Sequence, residues 1–356
     1  MTRQVKISMS SETSLRTDNF FQAFPKVDLH RHLEGSLRLH TLVEVGRMHG
    51  LGLPDTNQLR SLVQIGEEEP LTFENFLSKF QTLRLFYRSP EVIHRVTYEA
   101  IADAATDNVR YIELRFTPAA LSKAENFPYE EVIEWVVTSA NEAAQKHGIM
   151  LRLIASVNRN EGPDLAAEVI RIASEFKEQG LVGVDLAGDE ANFSGLLFNG
   201  IFKEAKQDGM HITIHAGEWG PARNVQEAIQ QLGAERIGHG VRVLEDPMVT
   251  ALARERQIPF ELCVTSNYQS GVVSALHVHP LPRMLSQGLN VTINSDDPSI
   301  SQITLSDEYQ HTCQDLGLSV QALGERVLAA ANAAFLPDGE RKQLVESLTR
   351  EIQEFI

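Results

Sequence analysis

Cysteine is scarce in this chain. There are two in 356 residues, Cys263 and Cys313, which excludes a disulfide framework and any CxxC zinc knuckle. Long basic runs are missing too, and the formal net charge is −16. That field argues against nucleic acid as a partner and suits a small neutral or cationic ligand. No apolar run reaches membrane-spanning length, so no membrane contact is expected. The first twenty residues contain no apolar stretch of the secretory kind, which leads to a cytoplasmic expectation. No GxGxxG follows the first strand, a point against a doubly wound open sheet, the alternative fold. Low-complexity segments and short repeats are absent.

What is present is the composition of a soluble globular protein, 42% hydrophobic and 22% charged, long enough for a sizeable core. Residues 1–22 read as a poorly ordered arm and 23–356 as one domain. Eight β-branched runs stand out: Val27–His32, Val109–Phe116, Met150–Val157, Val182–Leu186, His211–Ala216, Arg236–Gly240, Pro259–Cys263 and Val291–Asp296. Helical periodicity fills the intervals. Asp164–Phe176 places Val169, Ile172, Ala173 and Phe176 on one face, Tyr129–Lys146 stops at Gly148, and Asn224–Leu232 stops at Gly233. A helical tail begins at Ser319 and breaks around Pro337. Alternating strands and helices, eight times over, predict an α/β fold closed as a (β/α)8 TIM barrel. Leu37–Arg110 is too long for one crossover. Its helical stretches Thr41–His49, Thr72–Phe86 and Glu91–Ala105 are expected as extra helices over the C-terminal mouth. Within them Phe73, Phe76, Leu77 and Phe80 form an apolar stripe that packs the helix down and lends one or two side chains to a pocket.

In such a barrel, functional groups collect where strands end. Strand one ends in His30 and His32, strand four in Gly188, strand five in His215 followed by Glu218, strand six in His239, and strand eight in Asp296 and Asp297. In strands five and eight, Ile212, Ile214, Val291 and Ile293 take one face, and Thr213, His215, Thr292, Asn294 and Asp296 the other. A polar inward face needs a reason, because an unpaired buried polar group costs about 1–3 kcal/mol. Metal binding is one reason, and a hydrogen-bonded core network is the other. Three neutral imidazoles and a carboxylate suit one Zn²⁺ per chain, with water completing its shell and acidified by it. Hydrolysis or deamination then needs a group to orient or deprotonate that water, an acid, and a group to hold the reacting ring. Glu218, His239 and Asp297 are available for these roles. Val182–Gly188 holds no lysine of the kind that bridges two metals, so one metal is expected.

The segments VDLHRHLEGS, DLAGDE, HAGE, RIGHG, PFELCVTSN and INSDDP, in that order from about Phe24 to Ala334, resemble the adenosine deaminase family of the amidohydrolase superfamily. FENFLSKF resembles that family's apolar lid. The resemblance implies that His30, His32, His215 and Asp296 bind zinc, that Glu218 protonates or hydrogen-bonds ring N1, and that His239 orients the attacking hydroxide. It implies further that Asp297 contacts the hydroxide and ring N7, that the Gly188 N–H reaches N3, and that Phe76, Leu77 and Phe80 wall the apolar side. The implied reaction turns a 6-aminopurine, adenosine or 2′-deoxyadenosine foremost, into the 6-oxopurine (inosine from adenosine) and ammonia. One position departs from the pattern: Glu34 stands where the family's adenosine deaminases carry the Asp that holds the 5′-hydroxyl. Branches acting on adenine, or on 5′-modified nucleosides such as aminodeoxyfutalosine, are closer at that position. Trp219 either narrows the mouth or packs the helix start. An amide or lactone hydrolase and a metal-stabilised scaffold are the other readings. The sequence leaves the oligomeric state open.

Overall fold

The β-branched runs do become strands, and every one pairs in parallel with the next. The computed structural model describes residues 19–356. The strands are β1 Lys26–His32, β2 Val109–Phe116, β3 Met150–Asn158, β4 Leu181–Ala187, β5 His211–His215, β6 Arg236–Gly238, β7 Pro259–Leu262 and β8 Asn290–Ile293, in that spatial order. The ring closes between its ends. Arg31 bridges Asp296 in parallel, the His32 N–H donates to the Asp296 carbonyl at 2.8 Å, and the Asp296 N–H donates to the His30 carbonyl at 2.8 Å. This is the expected (β/α)8 barrel.

Helices cover the outside for the reasons their sequences give. Ser89 caps Pro90–Thr106 by accepting from the Val92 N–H, with Pro in the first turn, where its missing N–H costs nothing. Tyr129–His147 ends on Gly148 at φ 66°, a left-handed conformation that glycine enters without strain. Ser319 caps Val320–Ala333, and after Pro337 the tail resumes as Asp338–Gln353. The excursion between β1 and β2 holds helices Leu39–Met48, Thr56–Val63, Phe73–Leu83 and Pro90–Thr106.

Several boundaries differ from the sequence reading. Strands five, six and eight stop at His215, Gly238 and Ile293, earlier than their apolar runs suggest. His239 and Asp296 instead have φ of 58° and 61°, so the chain leaves the extended ladder where it turns polar side chains toward the barrel axis. The stretch Thr72–Phe86 is a helix to Leu83 and then a tighter turn, Arg84–Phe86. Thr56–Val63 was not expected as a helix. Of the predicted arm, residues 1–18 lie outside the described residues, and residues 19–22 belong to a short helix, Asn19–Ala23. Among the described residues no helix is long and apolar enough to cross a membrane.

Candidate active site at the barrel mouth

Four imidazoles meet at the C-terminal ends of the strands. Ring centroids lie 5.2 Å apart for His30 and His32, 4.6 Å for His30 and His215, 4.8 Å for His30 and His239, and 5.3 Å for His32 and His215. Asp296 joins them from the β8 end. Its Oδ1 stands 3.3 Å from His30 Nε2 and 3.4 Å from His32 Nε2, and the two Nε2 atoms of His32 and His215 are 3.4 Å apart. Ligands 2.0–2.1 Å from a tetrahedral Zn²⁺ are separated by roughly 3.3–3.4 Å. These edges therefore fit one shared ion. His30 Nε2 is buried with no hydrogen-bond partner despite the nearby carboxylate, as expected for donors aimed at a common point.

Two overlapping quartets are available. His30, His215, His239 and Asp296 offer ligand atoms all within 4.8 Å of one another. The set with His32 in place of His239 has the tighter edges, because His239 Nε2 is 3.8 Å from the other Asp296 oxygen. We favour the His32 set for that reason. In the two histidines common to both sets the far nitrogens face carboxylates: His30 Nδ1 donates to Glu261 Oε2 at 2.8 Å and His215 Nδ1 to Asp185 Oδ1 at 2.9 Å, which leaves each Nε2 as the lone-pair nitrogen facing the centre.

Beneath this layer lies a fully buried ion network. Glu261 on β7 also accepts from Arg115 Nη2 at 2.9 Å, Arg236 Nε at 2.6 Å and Thr213 Oγ1 at 3.0 Å. Asp185 accepts from Ser156 Oγ at 2.9 Å, and Arg236 also pairs with Glu113. Burial alone would raise the Glu261 carboxyl, but the two guanidinium groups hold it well below the usual carboxylate range, so it stays a charged acceptor. Thr292 donates to the Phe260 carbonyl and Asn294 accepts from the Leu29 N–H. The polar inward face of strands five and eight thus serves both purposes, core network for Thr213, Thr292 and Asn294, and ligation geometry for His215 and Asp296.

Above the imidazoles opens a cavity of about 560 Å³. Glu34, Phe76, Leu77, Phe80, Gly188, Glu218, Asp297 and Trp219 all line it, together with His32, His215, His239 and Asp296. Of the candidate site residues only His30 is not in the cavity lining; from the apolar stripe Phe73 stays out of it and packs on the Trp219 ring at 5.4 Å. Gly188 has φ 83°, and a Cβ there would meet Asn160 Oδ1 at 2.6 Å. Gly35 is required by contact instead: a Cβ would lie 1.8 Å from Asp297 Oδ1. Glu218 Oε2 is 3.7 Å from His239 Nε2. Burial, reinforced by Asp296 and Glu190, pushes the Glu218 carboxyl well above the usual range. Burial also pushes Asp297 up, with Asp296 and Glu34 adding to it, and it holds His239 well below an ordinary histidine.

Some contributors were missed. Glu190 accepts the backbone N–H groups of Gly217, Glu218, Trp219 and Gly220 at 2.6, 3.0, 3.0 and 3.0 Å, plus Asn224 Nδ2 at 2.9 Å, and so shapes the loop that carries Glu218. Asp185 and Glu261 were visible as carboxylates inside otherwise apolar strands, a placement that demands a partner. Gln81, Arg84, Asn158, Asn160, Asp189 and Phe193 also line the cavity.

A parallel eight-stranded barrel with a histidine–aspartate centre at the strand ends defines an amidohydrolase-type enzyme. Residues 25–351 match the family described as adenosine deaminase. Adenosine deaminase of Klebsiella pneumoniae is 35% identical over 330 residues, covering 92% of this chain and 98% of the relative. Among solved structures, adenine deaminase from Arthrobacter aurescens superposes with TM-score 0.85 at 27% identity, covering 92% of this chain and 99% of that one. An amidohydrolase from Burkhoderia ambifaria with bound Zn gives 0.86 at 26% identity, covering 96% and 95%. The chain belongs to the adenosine deaminase family, hydrolases that act on C–N bonds of cyclic amidines.

Proposed function

We propose that the protein is a zinc-dependent deaminase of 6-aminopurines, with adenosine and 2′-deoxyadenosine the leading substrates. The observation that carries this reading is the placement of a buried Glu218 beside His239 and Asp297 in the cavity above the histidine–aspartate quartet. His30, His32, His215 and Asp296 would hold the ion. Zinc in that place supplies a water acidified enough to attack at neutral pH.

The rest falls to the chain's own side chains. The purine enters with Phe76, Leu77 and Phe80 on its apolar side and the Gly188 N–H toward N3. Glu218, kept protonated by its surroundings, donates to ring N1 and makes C6 electrophilic. His239 and Asp297 hold the attacking oxygen, and Asp297 also contacts N7. Water adds its oxygen at C6, the C6–N bond breaks, the nitrogen leaves as ammonia, and a 6-oxopurine remains.

A second reading concerns the sugar. Glu34 Oε1 accepts from the Thr117 N–H at 2.7 Å, while its Oε2 is buried without a partner. That oxygen is open to a donor on the sugar, and the extra methylene of Glu34 over the family's usual Asp supports a 5′-modified nucleoside, or adenine, the substrate named for the Arthrobacter aurescens neighbour. The test is a panel of adenosine, 2′-deoxyadenosine, adenine and a 5′-substituted adenosine with the zinc-loaded protein, followed by the ultraviolet change on deamination. Turnover of adenosine is expected. Failure to turn over any 6-aminopurine would sink the proposal, and metal analysis should find one ion per chain.

A further inference from the structure

Behind His239 lies a chain of hydrogen bonds whose polarity is fixed at its far end. The Leu281 backbone N–H can only donate, and it meets His279 Nδ1 at 3.1 Å. His279 Nδ1 must accept, so in a neutral ring the proton sits on Nε2, which faces Asn267 Oδ1 at 3.2 Å. With its oxygen engaged, Asn267 turns its NH₂ to His239 Nδ1 at 3.0 Å. His239 Nδ1 must then accept as well, and the His239 proton sits on Nε2. Asn267 is fully buried and His279 nearly so, and burial pulls the His279 pKa down to about 3, so no second proton reaches the relay near neutral pH.

We infer that Asn267 and His279 are positioning residues that lock His239 as a neutral imidazole with Nε2–H presented to the cavity. The inference rests on the proposed reaction only for its consequence. His239 Nε2 lies 3.7 Å from Glu218 Oε2 and 3.8 Å from Asp296 Oδ2, too far to spend its proton on either. It is a free donor over the reacting space. A ring locked this way stabilises negative charge on the attacking oxygen, and it has no lone pair at Nε2 with which to take a proton from water.

Two measurements test the relay. In zinc-loaded protein with ¹⁵N-labelled imidazoles, His239 should show an unprotonated Nδ1 and a protonated Nε2. A protonated Nδ1 would overturn the inference whatever the enzyme's activity, and it would leave the deaminase reading standing. Conversely, a correct tautomer with no purine turnover would sink the deaminase reading alone. In the second measurement, Asn267→Asp offers only acceptors and should draw the proton to Nδ1. The loss of one preorganised donor should lower kcat by about 100-fold with KM little changed. His279→Gln, which can still donate to Asn267, should retain most activity, whereas His279→Leu should not. Unchanged kcat in Asn267→Asp would refute the relay, and should that variant fail to fold, the wild-type spectrum decides.

Discussion

A carboxylate oxygen buried without a partner is the least settled atom in the cavity, and Glu34 carries one. Burial raises the Glu34 pKa, so the group meets a ligand either as a neutral donor or as an ion needing compensation. Shortening it by a methylene withdraws that oxygen from the sugar space. Glu34→Asp should raise kcat/KM for unmodified adenosine relative to adenine and 5′-substituted adenosines by about 10-fold, read as a ratio across the panel. An unmoved ratio would remove Glu34 from substrate selection. Glu218 allows a sharper expectation. Its raised pKa carries the acid form to higher pH than an ordinary carboxyl keeps it, so kcat should fall on the alkaline side as that proton is lost. Glu218→Gln should cost about 100-fold or more. These residues were legible because each sits in a short motif at a strand end. Glu261 and Asp185 were not singled out, since what gives them meaning is a histidine 231 or 30 residues away.

Among the elements, the strands were the most readable part, because buried parallel strands are written as unbroken β-branched runs. Their ends were over-read for the same reason: apolarity continues past the point where His239 and Asp296 bend out of the ladder. The helix Thr56–Val63 escaped notice because it buries only Leu59 and Val63 and so lacks a long periodic stripe. Outside the strands, buried carboxylates hold chain segments by their backbone N–H groups. Glu190→Gln would replace one of two acceptor oxygens with a donor facing N–H groups, and should lower unfolding stability by about 2–3 kcal/mol while reducing kcat more than it raises KM. Glu308 holds the helix Val264–Gln269, accepting from the N–H groups of Val264 and Thr265 at 2.7 and 2.9 Å, and burial raises it from 4.5 to about 7. With its folded pKa above its unfolded one, its contribution is fully present in acid and is lost as pH rises toward 7. Unfolding free energy measured in urea between pH 5 and 8 should decline by up to about 3 kcal/mol on its account. Glu308→Gln should flatten that slope.

At the scale of the molecule, one seam and one centre coincide. The barrel closes between β8 and β1 through the backbone of Asp296, His30 and His32, and those same residues, with His215 across the barrel on β5, are the proposed ligands. An ion held there ties the closing strands to the opposite wall, so its removal should be felt as loosened closure as well as lost chemistry. The network of Glu261, Arg115, Arg236 and Glu113 lies deeper and needs no ion for its charge balance, which predicts that the metal-free protein keeps its barrel. Chelation should therefore abolish turnover and lower the thermal midpoint by about 5–10 °C, as expected for a tightly bound ligand at saturating concentration, with the far-ultraviolet circular dichroism unchanged at 25 °C. Readdition of Zn²⁺ should restore both together. A midpoint indifferent to chelation would show that no ion bridges β1, β5 and β8. Wholesale loss of the circular dichroism signal would show instead that the buried guanidinium–carboxylate layer cannot hold the barrel by itself.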